Sequence, residues 1–113
     1  MIYVIDGEGV LRFGKEEIVV TAGSAIACPT GGDYAHQLIN TAETELRYLV
    51  VSTMEYPDLS EYPDSNKVGA YSSPAVGPNV GFRALYVRDK NVNYYEGEDG
   101  KEVERIMKSG RRE

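Results

Sequence analysis

The sequence predicts an all-β domain, and three observations support this prediction. Short runs of strand-forming residues, separated by turn residues, fill the first half of the chain. The 113 residues include 12 glycines and 9 tyrosines, a composition that favours turns and strands over helices. Helical periodicity is nearly absent from the first half. The spacing of the turn residues is that of a β-sandwich or a β-barrel, and the length fits one domain.

Six strands are predicted in the first half of the chain. They cover residues 2–5, 9–13, 17–20, 25–28, 35–39 and 46–53. Gly14 and Lys15 form a tight reversal between the second and third runs, so these two strands are predicted to form a hairpin. The loop at residues 29–33 contains two glycines, which allow backbone conformations that other residues disfavour.

The second half of the chain is less regular. Residues 55–81 contain four of the five prolines and several tyrosines, which predicts a long ordered arm that packs on the barrel or on a neighbouring subunit. Two further strands are expected at 83–88 and 92–95. Residues 99–102 resemble a capping box and precede an apolar stripe, so a short helix is predicted in a tail at 99–113. The domain itself is predicted to span residues 1–98.

Charge, cysteine content and the pattern of apolar residues restrict the partners and the location expected for the chain. The 12 basic and 18 acidic residues give a net charge of -6, which repels nucleic-acid phosphates and anionic lipid. The single cysteine, Cys28, cannot form an intrachain disulfide, so a reducing cytoplasmic location is expected. The chain opens without the pattern of a signal peptide, and no apolar run approaches the roughly 20 residues of a membrane-spanning helix.

The most specific segment, residues 23–40, reads GSAIACPTGGDYAHQLIN. It resembles the second signature motif of the cupin superfamily, in which a glycine, a Pro-x-Gly loop, a histidine and an asparagine recur in order. Gly23, Pro29, Gly31, His36 and Asn40 take those places, with two extra residues before the histidine. The resemblance covers about residues 2–53 and implies a cupin-type, jelly-roll-like β-barrel. It also implies that Asn40 orders a turn.

Two later segments are similar to the tails of small single-domain cupins akin to sugar-phosphate isomerase-like members of the superfamily. These segments are residues 61–65 and 94–98. The likeness directs attention to sugar-like ligands.

In cupins, the first motif supplies two histidines and a glutamate to a metal site and ends in a glycine. Gly7 takes the place of that glycine, so the three ligands would lie upstream of Met1. His36 is the only histidine, and one imidazole cannot hold a transition metal at useful affinity. The resemblance therefore implies an incomplete metal site with His36 as a remnant ligand. A divalent transition metal is expected only if upstream ligands exist.

Three roles for His36 remain open at this stage. It is a remnant hydrogen-bonded inside the barrel mouth, a metal ligand with unusual partners, or a general base or ligand contact that works without metal. Cys28 shares a strand face with Ile26, where it is either a thiolate partner or a small apolar side chain.

Tyrosines provide further candidates for a binding site. Tyr3, Tyr34 and Tyr48 lie on or beside the strands expected around His36. Aromatic walls with phenol tips suit a small, partly polar ligand, although ordinary core packing with the hydroxyl at the rim explains the same residues.

Three functions are consistent with these features. The leading hypothesis is a cupin that binds a small polar molecule, such as a sugar-like metabolite, near His36. The alternatives are a metal-dependent isomerase or dioxygenase whose upstream ligands are missing from this chain, and a non-catalytic dimeric scaffold. Whether the chain is an enzyme stays undecided. If the leading strands are absent, an unpaired sheet edge remains, which predicts a homodimer in which residues 55–81 or 2–5 cover the partner's edge.

Overall fold

A computed structural model describes residues 1–110 of the chain. It contains three antiparallel sheets of three strands each and one short helix near the C-terminus. Two of the sheets are built from the first half of the chain, and the third is built from the second half. The predicted predominance of β-structure is confirmed.

The first sheet has the strand order β4-β1-β6 and the second has the order β3-β2-β5. The hairpin of β2 and β3 forms as predicted, with Leu11 opposite Ile18. On the other side of β2, Leu11 lies opposite Leu38. The six strands are β1 (Ile2–Asp6), β2 (Glu8–Phe13), β3 (Glu16–Thr21), β4 (Ala25–Ile26), β5 (His36–Asn40) and β6 (Arg47–Val50).

A small hydrophobic core joins the first two sheets. Ile2 and Val4 of β1 form one buried cluster with Leu11 and Val20 of the second sheet. Period-two alternation places Ile2 and Val4 on one face of β1, and that face is directed toward the second sheet. The two sheets therefore pack face to face as a sandwich. The predicted closed barrel is not seen in residues 1–110, because no strand pairing connects the two sheets.

The third sheet corrects the prediction of a loop at residues 55–81. Its order is β7-β8-β9, with β7 at Asp58–Tyr62, β8 at Lys67–Tyr71 and β9 at Arg83–Val87. The prolines that predicted a loop precede, follow or separate the strands, so none interrupts the hydrogen-bonded ladder. The segment thus contains two strands, and the strand predicted at 83–88 completes their sheet.

The strand predicted at 92–95 is wrong, because residues 92–93 are irregular and residues 94–97 form a turn. The backbone N–H of Tyr95 donates to the side-chain oxygen of Asn93 at 3.0 Å, and that of Glu96 donates to the Asn93 carbonyl at 3.0 Å. Asparagine often closes turns in this way, and the local bonds compete with strand pairing.

The predicted terminal helix is confirmed as α1, at Lys101–Lys108. Asp99 accepts a hydrogen bond from the backbone N–H of Lys101 at 3.1 Å. The apolar stripe of Val103, Ile106 and Met107 is exposed. Of the predicted tail, residues 111–113 lie outside the part that the structure describes.

Helix α1 has eight residues, far fewer than the roughly 20 that a membrane-spanning helix requires. In residues 1–110, no helix has the length and the apolar character that crossing a membrane requires.

Candidate functional site

A cleft of 1260 Å³ opens between the sandwich and the third sheet. One wall consists of the loop before β5 together with the start of that strand. The other wall is β7 and the turn that follows it. The polar and aromatic residues that line the cleft include Arg12, Tyr34, His36, Ser60, Tyr62 and Asp64.

His36 is the first residue of β5 and lies opposite Phe13 of β2. It shares a strand face with Leu38, which packs against the core, so the imidazole lies at the open end of the interior face. The side chain is exposed, and its Nδ1 lies 3.3 Å from the backbone carbonyl oxygen of Tyr34. Within residues 1–110, Nε2 has no hydrogen-bond partner.

Tyr34 adjoins His36 on the same wall. It ends a short 3₁₀ turn at Gly32–Tyr34, and its ring lies 6.0 Å from that of Phe13. The aromatic pair holds the phenol at the rim of the cleft. The strand predicted at 25–28 ends at Ile26, so Cys28 lies beyond it; Cys28 is nevertheless partly buried and packs with Ile26 against the core.

The structure separates the other two predicted tyrosines from His36. Tyr3 lies on the face of β1 opposite Ile2 and Val4, and it is not among the residues that line the cleft. Tyr48 of β6 pairs across the strands with Val4 of β1, and it is also not among the residues that line the cleft. Of the four predicted ligand-binding residues, the structure brings together His36 and Tyr34.

Asn40 orders a turn, as the motif implied. Its side-chain nitrogen donates to the carbonyl oxygen of Thr44 at 2.9 Å, and its side-chain oxygen accepts from the N–H of Ala42 at 3.0 Å. The asparagine thus shapes the connection between β5 and β6.

A hydroxyl cluster, formed by Ser60, Tyr62 and Tyr71, was missed by the sequence analysis. The Ser60 and Tyr71 hydroxyls lie 2.9 Å apart, and those of Tyr71 and Tyr62 lie 3.3 Å apart. Tyr71 lies across Gly69, where a Cβ atom would collide with its ring and hydroxyl. The spacing of Ser60 and Tyr62 places them on one face of β7, but their pairing with β8 is not visible in the sequence.

Hydrogen bonds within this cluster alter its acidity, and two cations lie beside it. The pKa of Tyr62 lies below its ordinary value because the hydroxyls of Ser60 and Tyr71 hydrogen-bond to it and Lys67 attracts its anionic form. The Lys67 ammonium lies 5.5 Å from the centre of the Tyr62 ring, and the Arg83 guanidinium lies 4.4 Å from that of Tyr71. The arrangement favours hydrogen bonding to polar or anionic groups.

An ion pair connects the two walls. Arg12 on β2 donates two hydrogen bonds to Asp64, at 2.8 and 3.1 Å, and a third to the side-chain oxygen of Gln37 at 2.8 Å. The Arg12 guanidinium holds the pKa of the Asp64 carboxyl below its usual range. On the third sheet, Arg88 lies 3.8 Å from Glu61, whose carboxylate lies against Gly32.

Replacing Asp64 by Asn is expected to remove an acid-sensitive part of the stability. Because the pKa of Asp64 is lower in the folded chain than in the unfolded chain, the ion pair stabilises the fold above the unfolded value of about 4. This contribution disappears as the pH falls through the folded pKa. The gap in urea stability between wild type and Asp64→Asn should therefore be constant above about pH 5 and should shrink as the pH falls below about 4 and through the folded pKa of Asp64.

Asp89→Asn, at another exposed carboxylate beyond β9, is the control and should match wild type throughout the titration. A gap for Asp64→Asn that stays constant with pH would show that the ion pair does not carry the difference.

The donor atoms of residues 1–110 do not fit a metal site of the cupin type. No group of three or more His, Cys, Asp and Glu side chains in this part of the chain is arranged to hold a metal ion. A transition-metal site of this type needs three or four protein ligands. His36 therefore lacks the companions that would make it a metal ligand among the described residues.

The comparisons with known proteins agree with the motif and with the sheets. Residues 1–52 match the family model of the cupin domain. The search of curated proteins and the search of solved structures gave no match. The matched residues contain the whole of β1 to β6, the core and His36. This two-sheet portion of the chain is therefore similar to the cupin domain.

Proposed function

We propose that the chain binds a small polar molecule, of which sugar-like metabolites are the first class to test, in the cleft between the sandwich and the third sheet. His36 and Tyr34 provide one side of this site, and Ser60 and Tyr62 provide the other. The proposal is for binding and involves no metal-dependent step, because the described residues do not form a metal site.

The observation that carries this proposal is the position of His36. Its imidazole is exposed in the cleft, and Nε2 has no partner within residues 1–110. An imidazole nitrogen can donate or accept a hydrogen bond according to its tautomer. A ligand hydroxyl or carboxylate in the cleft could therefore pair with Nε2 without breaking an internal bond.

The opposite wall has matching chemistry. Hydroxyl groups donate and accept, so Ser60 and Tyr62 can each pair with a ligand hydroxyl. Tyr34 provides an aromatic surface beside these polar groups, a combination common in small-molecule sites. The likeness of residues 61–65 and 94–98 to sugar-phosphate isomerase-like cupins supports starting with sugars.

A thermal-shift screen of neutral sugars, sugar phosphates and small hydroxy acids tests this proposal. A ligand that binds the folded chain alone raises the unfolding temperature, and the shift grows with the logarithm of the ligand concentration once that concentration exceeds the Kd. We expect at least one of these compounds to stabilise the chain. An EDTA-treated sample should give the same shift. No stabilisation by any compound would contradict the proposal.

Substitutions then locate the site of the compound that binds. His36→Ala and Tyr62→Phe each remove a polar group from the cleft, so each should weaken binding in isothermal titration by about 10-fold. Tyr3→Phe and Tyr48→Phe are the controls. Each removes a phenol oxygen that lies outside the cleft, so each should leave the affinity unchanged. Equal losses in all four variants would place the site elsewhere.

A further inference from the structure

The two faces of the third sheet differ in chemistry. One face holds the hydroxyl cluster with Lys67 and Arg83. The other face is apolar, apart from Glu61 at its end near the sandwich. Strand register and period-two alternation define this apolar face as Leu59, Val68, Ala70, Phe82, Ala84 and Tyr86.

The apolar face is open to solvent in the single chain. Leu59 is 64% exposed, Phe82 55% and Tyr86 50%. The Phe82 and Tyr86 rings are stacked 6.4 Å apart, which presents one continuous aromatic surface. An antiparallel sheet usually packs one face on a core, and the exposure of these side chains shows that the apolar face has no such packing among residues 1–110. A second apolar surface that packs on this face would therefore stabilise the third sheet.

The chain as a whole is less compact than a typical folded monomer of its mass. The chain exposes 9443 Å², about one and a half times the roughly 6200 Å² expected for a folded monomer of its mass. Its radius of gyration is 21.6 Å, against about 13 Å for a compact domain of this length. The chain therefore leaves more surface uncovered than a compact monomer does, and a standard protein interface buries roughly 800 Å² of each partner.

We propose that a second copy of this chain covers the apolar face, so that two third sheets pack face to face across a two-fold axis. A symmetric interface requires a self-complementary surface. The alanines at positions 70 and 84 lie opposite each other at the centre, between Leu59 and the aromatic pair. In such a dimer, the bulky side chains of one copy fit over the small residues of the other.

Charge favours this face for self-association. Each chain carries a net charge of -6, so most surfaces of two copies repel each other. The apolar face contains one charged side chain, that of Glu61, and Arg88 lies 3.8 Å from its carboxylate. Two copies can therefore meet there without bringing unpaired like charges together.

Sedimentation equilibrium on the full chain tests the proposal. At about 10 μM, a concentration that populates a dimer of sub-micromolar Kd, we expect twice the chain mass of 12.5 kDa. Tyr86→Lys places a charge in the centre of the interface and should return the mass to that of one chain. Leu85→Lys is the matched control, because Leu85 is the next residue of β9, is 52% exposed, and lies on the opposite face.

Circular dichroism verifies that each variant is folded, and Leu59→Lys on β7 provides a second disruption if Tyr86→Lys unfolds. A dimer lost in the Tyr86 or Leu59 variant and kept in Leu85→Lys supports the proposal. A monomeric wild type overturns it, including one in which hydrogen exchange shows the face covered by α1 of the same chain. Loss of the dimer in Leu85→Lys alone would also overturn it, since the interface would then use the polar face.

Discussion

Replacing Leu11 by Ala is expected to destabilise the chain by about 2–5 kcal/mol, the range for deleting a buried leucine side chain. Leu11 is fully buried, at 0% exposure, and belongs to a core of four buried residues that joins the two sheets. Leu11 lies opposite Ile18 of β3 and opposite Leu38 of β5, so it has a neighbour on each strand that pairs with β2. The loss therefore affects the contact between the sheets as well as the centre of the second sheet.

Val19→Ala is the control for this substitution. Val19 lies in the same hairpin on the outer face and is 73% exposed, so its loss should change stability by about 0.5 kcal/mol or less. Urea unfolding followed by circular dichroism gives both values. Equal effects of the two substitutions would show that the core between the sheets does not hold the sandwich together.

Replacing Gly7 by Ala is the second substitution with a large expected effect, about 3 kcal/mol or more. Gly7 links β1 to β2 and has a backbone φ angle of +92°, a conformation that residues with a side chain rarely adopt. An added Cβ would also collide with the backbone carbonyl oxygen of Glu45, which precedes β6. Relief of that collision requires moving the main chain that aligns β6 beside β1.

Gly23 separates the two causes. It has nearly the same φ, +91, but a Cβ there meets no atom within 4 Å. Gly23→Ala should therefore cost only the conformational strain, about 1–2 kcal/mol. Thermal unfolding of both variants gives the comparison. If Gly23→Ala is as damaging as Gly7→Ala, conformational strain rather than the collision with Glu45 determines the loss.

Local patterns predicted the first half of the fold well. The alternation around Leu11 and the reversal at Gly14 determine the β2–β3 hairpin, because both act between residues close in sequence. The loop and histidine of the cupin motif likewise identified the wall that carries His36 and Tyr34. The apolar stripe of α1 and the acceptor at Asp99 predicted the helix.

The rest of the site depends on pairing between distant residues. Ser60 and Tyr71 meet only because Ser60 lies opposite Gly69 in the register of β7 and β8. Prolines around those strands concealed them, since proline content predicts loops without showing whether the residues between prolines pair. Position beside a predicted strand groups Tyr3 with His36 but does not tell which face of the sheet the Tyr3 side chain occupies.

Because Arg12 and Asp64 are both open to solvent, dissolved salt weakens one of the contacts between the two cleft walls. The walls belong to sheets that share no strand pairing, so this contact influences how far apart they stand. If the proposed site is used, rising ionic strength should weaken binding in the cleft even for an uncharged molecule. The width of the cleft would then depend on the salt concentration of the surrounding solution.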